Sequence, residues 1–199
     1  MGGDDETLDF YTREATAYAD HVLGELEKPW LPRFAAMVRP GGRVLDFGCG
    51  PGWAANWLVQ QGFVVDAFDG SEGFAEEARR RYGLSVTVGR FEEFAAPLAH
   101  YDGIWCCFSL LHDTREAMPG HLGRLAAALA PGGAFYIGLK EGTEAERDTI
   151  GRLYTFFGRD EMRDLLADAG FDVIGIDSED LAGFDGTPST GLHIYARRA

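Results

Sequence analysis

The stretch Val44-Leu45-Asp46-Phe47-Gly48-Cys49-Gly50-Pro51-Gly52 decides how this chain folds. Residues 43–47 are mostly apolar and too few for a helix, and they run into a turn with a glycine at every second position. They therefore read as a short buried strand. Beyond the turn, Trp53, Ala54, Trp57 and Leu58 return to helical spacing. Strand, glycine turn and helix in succession are the opening unit of an open parallel sheet, whose ligands sit at the carboxyl ends of the strands. Glycines there let the backbone bend sharply and approach a ligand closely, next to the free N–H groups of a helix N-terminus. Close packing of strand on helix also explains such a turn, so the glycines alone do not name a ligand.

The flanking residues discriminate. A dinucleotide GxGxxG fingerprint beginning at Gly48 needs glycine at position 53, where this chain has Trp53. No GxxxxGK[ST] loop occurs either. Asp46, just before the turn, would repel a pyrophosphate but can face an ammonium group. Asp69, about twenty residues on at the end of the second strand, can accept hydrogen bonds from ribose hydroxyls. The two acids fit a ligand with an adenosine and a cationic amino-acid tail.

The strand and helix alternation continues along the chain. Residues 63–68, 84–88, 101–108 and 134–139 read as strands. Ser71 is placed to cap a helix running to Tyr82. Residues 101–108 are almost wholly apolar, as in a strand covered on both faces. Asp113-Thr114-Arg115-Glu116 resembles a capping box opening a helix to Leu129. A helix over 160–169 stops at Gly170, and strands over 171–176 and 192–196, joined by a Gly-rich acidic loop, are expected to pair antiparallel. Before residue 43, helices are expected over 8–26, carrying Phe10, Ala17 and Val22, and again up to Val38, with a break at Pro29-Trp30-Leu31-Pro32.

The 199 residues suit one domain, 46% hydrophobic and 25% charged, which is globular composition. No apolar run approaches the roughly 18 residues of a membrane span, and residues 1–9 lack the blocks of a signal peptide. The expected location is cytoplasmic, with no membrane partner. Cys49, Cys106 and Cys107 show no CxxC spacing and read as reduced, buried thiols rather than a metal site. A net charge of −14 argues against a nucleic-acid partner and for a small or cationic substrate. Arg79-Arg80-Arg81, beside Glu76 and Glu77, reads as a solvated helix face.

On these motifs the chain resembles the class I S-adenosylmethionine-dependent methyltransferases, particularly small bacterial methyltransferase-domain proteins. The likeness runs from about Val44 to Arg197. It includes Asp69-Gly70-Ser71, Tyr101-Asp102, Leu110-Leu111-His112 and Leu129-Ala130-Pro131-Gly132-Gly133. It implies a Rossmann-like three-layer α/β sandwich with a seven-stranded, mostly parallel sheet whose last strand is antiparallel. Residues 1–40 would form a helical cap on a core of 41–199, the whole a single methyltransferase domain. S-adenosylmethionine would be the cofactor and S-adenosylhomocysteine its product. By the same resemblance Gly48, Cys49, Gly50 and Gly52 wrap the methionine moiety beside Trp53, with Asp46 near its amino group. Asp69 holds the ribose, with Gly70 and Ser71 adjacent. Phe91 and Glu92 flank the adenine, and Cys107 and Ser109 line the cofactor. Tyr11 and Tyr18 close over it, or else belong to the core. The chain departs from many relatives in having Gly89-Arg90 where an Asp follows the glycine ending strand three.

Methyl transfer from a sulfonium asks the protein for alignment, exclusion of water and sometimes a base. His112 is the best-placed histidine for a base; its alternative role is to hold the loop before the next helix. His193 reads as structural, and His21, His100 and His121 as surface residues. Lys140, at the end of the fifth strand, either meets an acidic substrate or pairs with Glu141, the ion pair being the commoner arrangement. Residues 141–158 are expected to cross the pocket mouth as a lid, offering Arg147, Arg152, Tyr154, Phe156 and Phe157 to a small-molecule methyl acceptor. Otherwise Arg147 pairs with Glu144 or Asp148 and the aromatics are core. The function these residues imply is methyl transfer to a small molecule, the alternative being a non-catalytic or regulatory protein that keeps the cofactor pocket.

Overall fold

The computed structural model describes residues 4–21 and 29–199. The opening strand, β1 (Arg43–Phe47), has the bounds expected of it, and α4 (Trp53–Gln60) follows the glycine turn. Among the described residues three helices precede them, α1 (Asp5–Arg13), α2 (Ala15–His21) and α3 (Trp30–Ala35). The expected first helix is thus broken at Glu14, and its part beyond residue 21, with Val22, lies outside the described residues. The alternation continues through β2 (Val64–Asp69), α5 (Glu72–Tyr82), β3 (Val86–Val88), β4 (Tyr101–Cys107), α6 (Met118–Ala128) and β5 (Leu129–Lys140). A small hairpin, β6 (Ala145–Arg147) and β7 (Leu153–Thr155), precedes α7 (Arg159–Asp168). The chain closes on β8 (Phe171–Ala182) and β9 (Pro188–Arg198).

The main sheet has seven strands in the order β3-β2-β1-β4-β5-β9-β8. The first five are parallel, and β9 runs antiparallel between β5 and β8. Strand order reverses beside β1, with β2 on one side and β4 on the other. The loops leaving β1 and β4 therefore diverge and open a crevice at the carboxyl edge.

Helices cover both faces, as the apolar character of 101–108 demands. Ile104 and Cys106 of β4 face one cluster, with Leu122 and Leu125 of α6 and Met162 and Leu166 of α7. Trp105, between them, faces the other, with Phe34 of α3 and Leu58 of α4. It stacks on Tyr136 with ring centroids 3.8 Å apart. Each such buried side chain contributes about 1.5–3 kcal/mol over an exposed one, so this alternation of faces holds the three layers together.

Ser71 caps α5 as expected: its Oγ accepts from Phe74 N at 3.2 Å. Ser71→Ala is expected to cost about 1 kcal/mol, read as a shift of the urea midpoint at unchanged slope. No shift would mean that the cap carries no stability.

Several local expectations are corrected. The helix after β4 starts at Met118, because the Asp113 carboxylate does not cap it. One oxygen accepts from Thr114 N at 2.7 Å, and the other meets His121 Nε2 at 2.7 Å. His121 is accordingly buried, 2% exposed, and not a surface residue. Leu129 already pairs with Tyr101, and regular pairing resumes at Ala134 after the turn at Gly132. The closing strands extend well beyond 171–176 and 192–196. Their pairing runs on to Ala182 opposite Pro188 past an irregularity between Val173 and Gly175, leaving a loop of only 183–187. Among the described residues no helix is long and apolar enough to cross a membrane.

Candidate functional site

Gly48, Gly50 and Gly52 all have positive φ, at 73°, 54° and 85°, so the turn after β1 is a left-handed path that other residues rarely take. Its start is pinned to β2, where Phe68 O accepts from Gly48 N at 2.8 Å and Cys49 N at 3.0 Å. Ser109 braces it from β4 by donating from Oγ to Phe47 O at 2.9 Å. A Cβ on Gly48 would lie 2.1 Å from the Ser109 Cβ, so the close approach of the two loops itself requires glycine. Asp69 ties the turn to the start of α5: Gly50 N donates to one carboxylate oxygen at 2.7 Å and Ser71 N to the other at 2.8 Å.

Two acids are therefore gathered at the carboxyl ends of two neighbouring strands, β1 and β2. Burial pushes the Asp69 carboxyl up to about 6, against backbone N–H groups of Ser71, Gly50 and Gly70 that favour its charge. Asp46 is 2% exposed. Burial raises its carboxyl to about 8, opposed by the Ala55 N–H and aided by the negative charge of Asp69. Its Oδ2 has no hydrogen-bond partner among the described residues. A buried, unmatched carboxylate oxygen is costly, and a cation or donor brought to it removes the deficit.

Above these acids lies a cleft partly open to solvent. Gly48, Gly50, Asp69, Gly70, Trp53 and Phe91 line it, as do Tyr11 and Tyr18 of the N-terminal helices. A second lobe continues from it toward Lys140, Arg152, Tyr154 and Phe184. Tyr11, Tyr18, Trp53, Cys107, Phe108 and His112 belong to both lobes and form the wall between them. Phe108 holds φ at 51° there, a rare conformation for an aromatic residue, with its N–H bonded to Gly138 O at 2.9 Å.

His112 is fully engaged. Its Nδ1 lies 2.6 Å from the carbonyl oxygen of Leu153, which can only accept, so Nδ1 carries the proton. Nε2 then accepts from the Tyr11 hydroxyl at 2.8 Å. Arg152 Nη1 donates to the same hydroxyl oxygen at 3.0 Å. Burial first, and then the nearby positive charges of Arg152 and Lys140, hold the imidazole down at about 3, against the Leu153 carbonyl, which favours the charged form. The ring therefore stays neutral and joins α1 to the β6–β7 hairpin.

That hairpin occupies the stretch, 141–158, expected to form a lid. Its turn is set by Asp148, whose carboxylate accepts from Ile150 N and Arg152 N. The Arg152 guanidinium is 1% exposed and pairs with Asp148 at 2.6 Å. Arg147 pairs with neither Glu144 nor Asp148. It reaches Asp4 at 2.7 Å and Glu6 at 3.3 Å and latches α1 across the cleft. Phe157 is core, 0% exposed. Lys140 does not pair with Glu141, which is taken by Arg159 at 3.0 Å.

Most of the expected residues thus converge on the cleft. Asp46 lies beneath it without lining it, Ser71 is spent on its helix cap, Glu92 is exposed to solvent outside it, and Arg147 stands outside as a latch. Arg90 takes the place beside Phe91 and pairs with Asp5. Sequence reasoning missed Thr7, Leu8 and Phe74 in the first lobe and His21, Leu181 and Phe184 in the second. The clue for Phe184 was its place in a Gly-rich loop, Gly183-Phe184-Asp185-Gly186; the others carry no sequence signal.

A family model described as a methyltransferase domain matches residues 18–176. The malonyl-[acyl-carrier protein] O-methyltransferase of Erwinia pyrifoliae is 31% identical over 140 residues, 68% of this chain and 52% of that protein. The trans-aconitate 2-methyltransferase of Mycolicibacterium gilvum is 40% identical over 87 residues, 43% of this chain and 32% of that protein. The chain thus spans about half or less of the length of these curated relatives. The crystal structure of Burkholderia thailandensis 1,6-didemethyltoxoflavin-N1-methyltransferase, with 1,6-didemethyltoxoflavin and S-adenosylhomocysteine bound, superposes with a TM-score of 0.69. It covers 96% of this chain and 87% of its own at 23% identity, a likeness of fold.

Proposed function

The chain belongs to the methyltransferase-domain family, among the class I S-adenosylmethionine-dependent methyltransferases, and from that membership we propose that it transfers a methyl group to a small-molecule acceptor. The observation that carries the reading is the pairing of a glycine cradle with two buried acids, one of which, Asp46, keeps an oxygen unmatched. S-adenosylmethionine presents a ribose, an ammonium and a methyl group activated on a sulfonium, and the residues present fit it. The glycine turn admits its amino-acid end, Asp46 offsets the ammonium, and Asp69 accepts from the ribose hydroxyls while holding the turn. Phe91 lies against the adenine.

The second lobe then takes the acceptor, across the wall formed by Cys107, Phe108 and His112. The protein aligns the two ligands and excludes water, with α1 and the β6–β7 hairpin closing over both lobes. In this reading His112 serves as a positioning residue, since both its nitrogens are used, and residues 1–40 cap a core of 41–199 within one methyltransferase unit. The net charge of −14 supports a small acceptor over a nucleic acid.

The engaged His112 is also what favours the second reading, a protein that binds the cofactor and transfers nothing. Calorimetric titration with S-adenosylhomocysteine, followed by turnover of methyl-labelled S-adenosylmethionine against a metabolite panel, separates the two. Heat of binding with label transferred is the expected result. Binding without any transfer supports the second reading, and no heat at all removes both.

A further inference from the structure

The geometry points to the end of β5 as an anion-recognition site, where Lys140 and the face of Tyr154 take the carboxylate of the acceptor. The inference rests on the methyl-transfer reading and names the chemical class of the acceptor.

Lys140 is 8% exposed, and its Nζ lies 3.8 Å from the centre of the Tyr154 ring. Among the described residues it makes no hydrogen bond or ion pair; Glu141, the neighbour that would have neutralised it, belongs to Arg159. Few ammonium groups are buried to this extent without a carboxylate beside them. The ring face returns only part of the lost hydration, and the group borders the open space of the second lobe. Burial, and then the neighbouring positive charge of Arg152, lower the Lys140 ammonium below its usual range. A bound anion would relieve both penalties.

The surrounding charges select the kind of anion. The positive charge of Arg152 is opposed at Lys140 by Asp185, Asp148 and Glu146, in that order of effect, so the site has little positive charge to spare: a single carboxylate on the ammonium is the most it accommodates, and a phosphate dianion overshoots it. The rest of the lobe is aromatic, with Tyr18, Phe108 and Phe184, and suits a flat or apolar body behind the carboxylate. An ionised carboxylate also brings its own electron pair and needs no proton removed, which agrees with a site whose shared histidine has no free nitrogen.

The test uses the full chain saturated with S-adenosylhomocysteine and titrated at constant ionic strength with benzoate and hexanoate, their uncharged partners benzamide and hexanamide, and inorganic phosphate. At least one acid is expected to bind about tenfold or more tightly than its amide, the scale of a charge-assisted contact in a partly buried site. Lys140→Met should bring that ratio to near one, and Lys140→Arg should keep most of it. Unchanged S-adenosylhomocysteine affinity and melting temperature would show both variants folded. Equal binding of acids and amides, failure of both acids to bind, tighter binding of phosphate, or a preference that survives Lys140→Met would each overturn the assignment. If S-adenosylhomocysteine itself fails to bind, the cofactor reading falls, and the same titrations on the ligand-free chain still decide the anion site.

Discussion

Asp69→Ala is expected to weaken S-adenosylhomocysteine binding by about a hundredfold to a thousandfold while the protein stays folded. Hydrogen bonds to a charged group contribute about 1.5–3 kcal/mol each, and the proposed ribose contact has two hydroxyls donating to one carboxylate. Losing both is worth roughly 3–4 kcal/mol, which is that range of affinity. The same carboxylate accepts from Gly50 N and Ser71 N, so the variant also loosens the glycine turn, and this adds to the effect. Stability should change by only about 1 kcal/mol, since the lost N–H contacts are offset by removing a buried charge whose carboxyl is raised to about 6. Calorimetry reads the affinity and circular dichroism the fold. A folded variant with wild-type affinity would remove Asp69 from the ribose.

The second large effect has opposite signs for stability and binding. Asp46→Asn should stabilise the ligand-free protein at pH 8 by about 3 kcal/mol and weaken its hold on the cofactor. The Asp46 carboxyl is raised in the folded chain to about 8 from an ordinary 3.8. Its contribution to stability is therefore full below about pH 4 and is lost progressively as pH rises toward 8, because the unfolded chain releases the proton first. At about 1.4 kcal/mol per unit of pKa, the whole shift sets an upper bound of roughly 6 kcal/mol. The advantage of the Asn variant should shrink to about 1 kcal/mol near pH 5. Urea melts at pH 5 and pH 8 check this, and an advantage independent of pH would show that Asp46 is not held protonated by burial. The ammonium of the cofactor would favour the charged form, so binding at pH 7 should release a proton. That release appears as a dependence of binding heat on buffer ionisation enthalpy, and it should vanish in Asp46→Asn.

Much of the fold could be read along the chain because its signals are local. β1 begins and ends where its apolar run and glycines place it. Ser71 caps α5, and β4 alternates between two cores because its positions from Ile104 to Cys107 are all apolar. Failures came where a side chain had a choice of partner. Asp113 looked like a helix cap and instead holds His121, which a sequence cannot pair across a helix turn and a loop. Glu141 looked like the partner of Lys140 and instead meets Arg159, eighteen positions on. The hairpin over 145–155 was hidden because three-residue strands are too short to show a period.

The first lobe, proposed for the cofactor, was likewise legible. Its chemistry sits in consecutive residues, Asp46 to Trp53, and in one acid a strand away, since a backbone turn is specified by the residues that make it. The second lobe, proposed for the acceptor, was decided only by the tertiary structure. Tyr11 meets His112 across 101 positions and Arg152 across 141, and Lys140 is left facing the lobe because its neighbours are engaged elsewhere. The sequence by itself determined a glycine turn between two acids. Which cation would be left without a counter-ion was a competition among distant partners, settled when the helices and hairpin closed over the sheet.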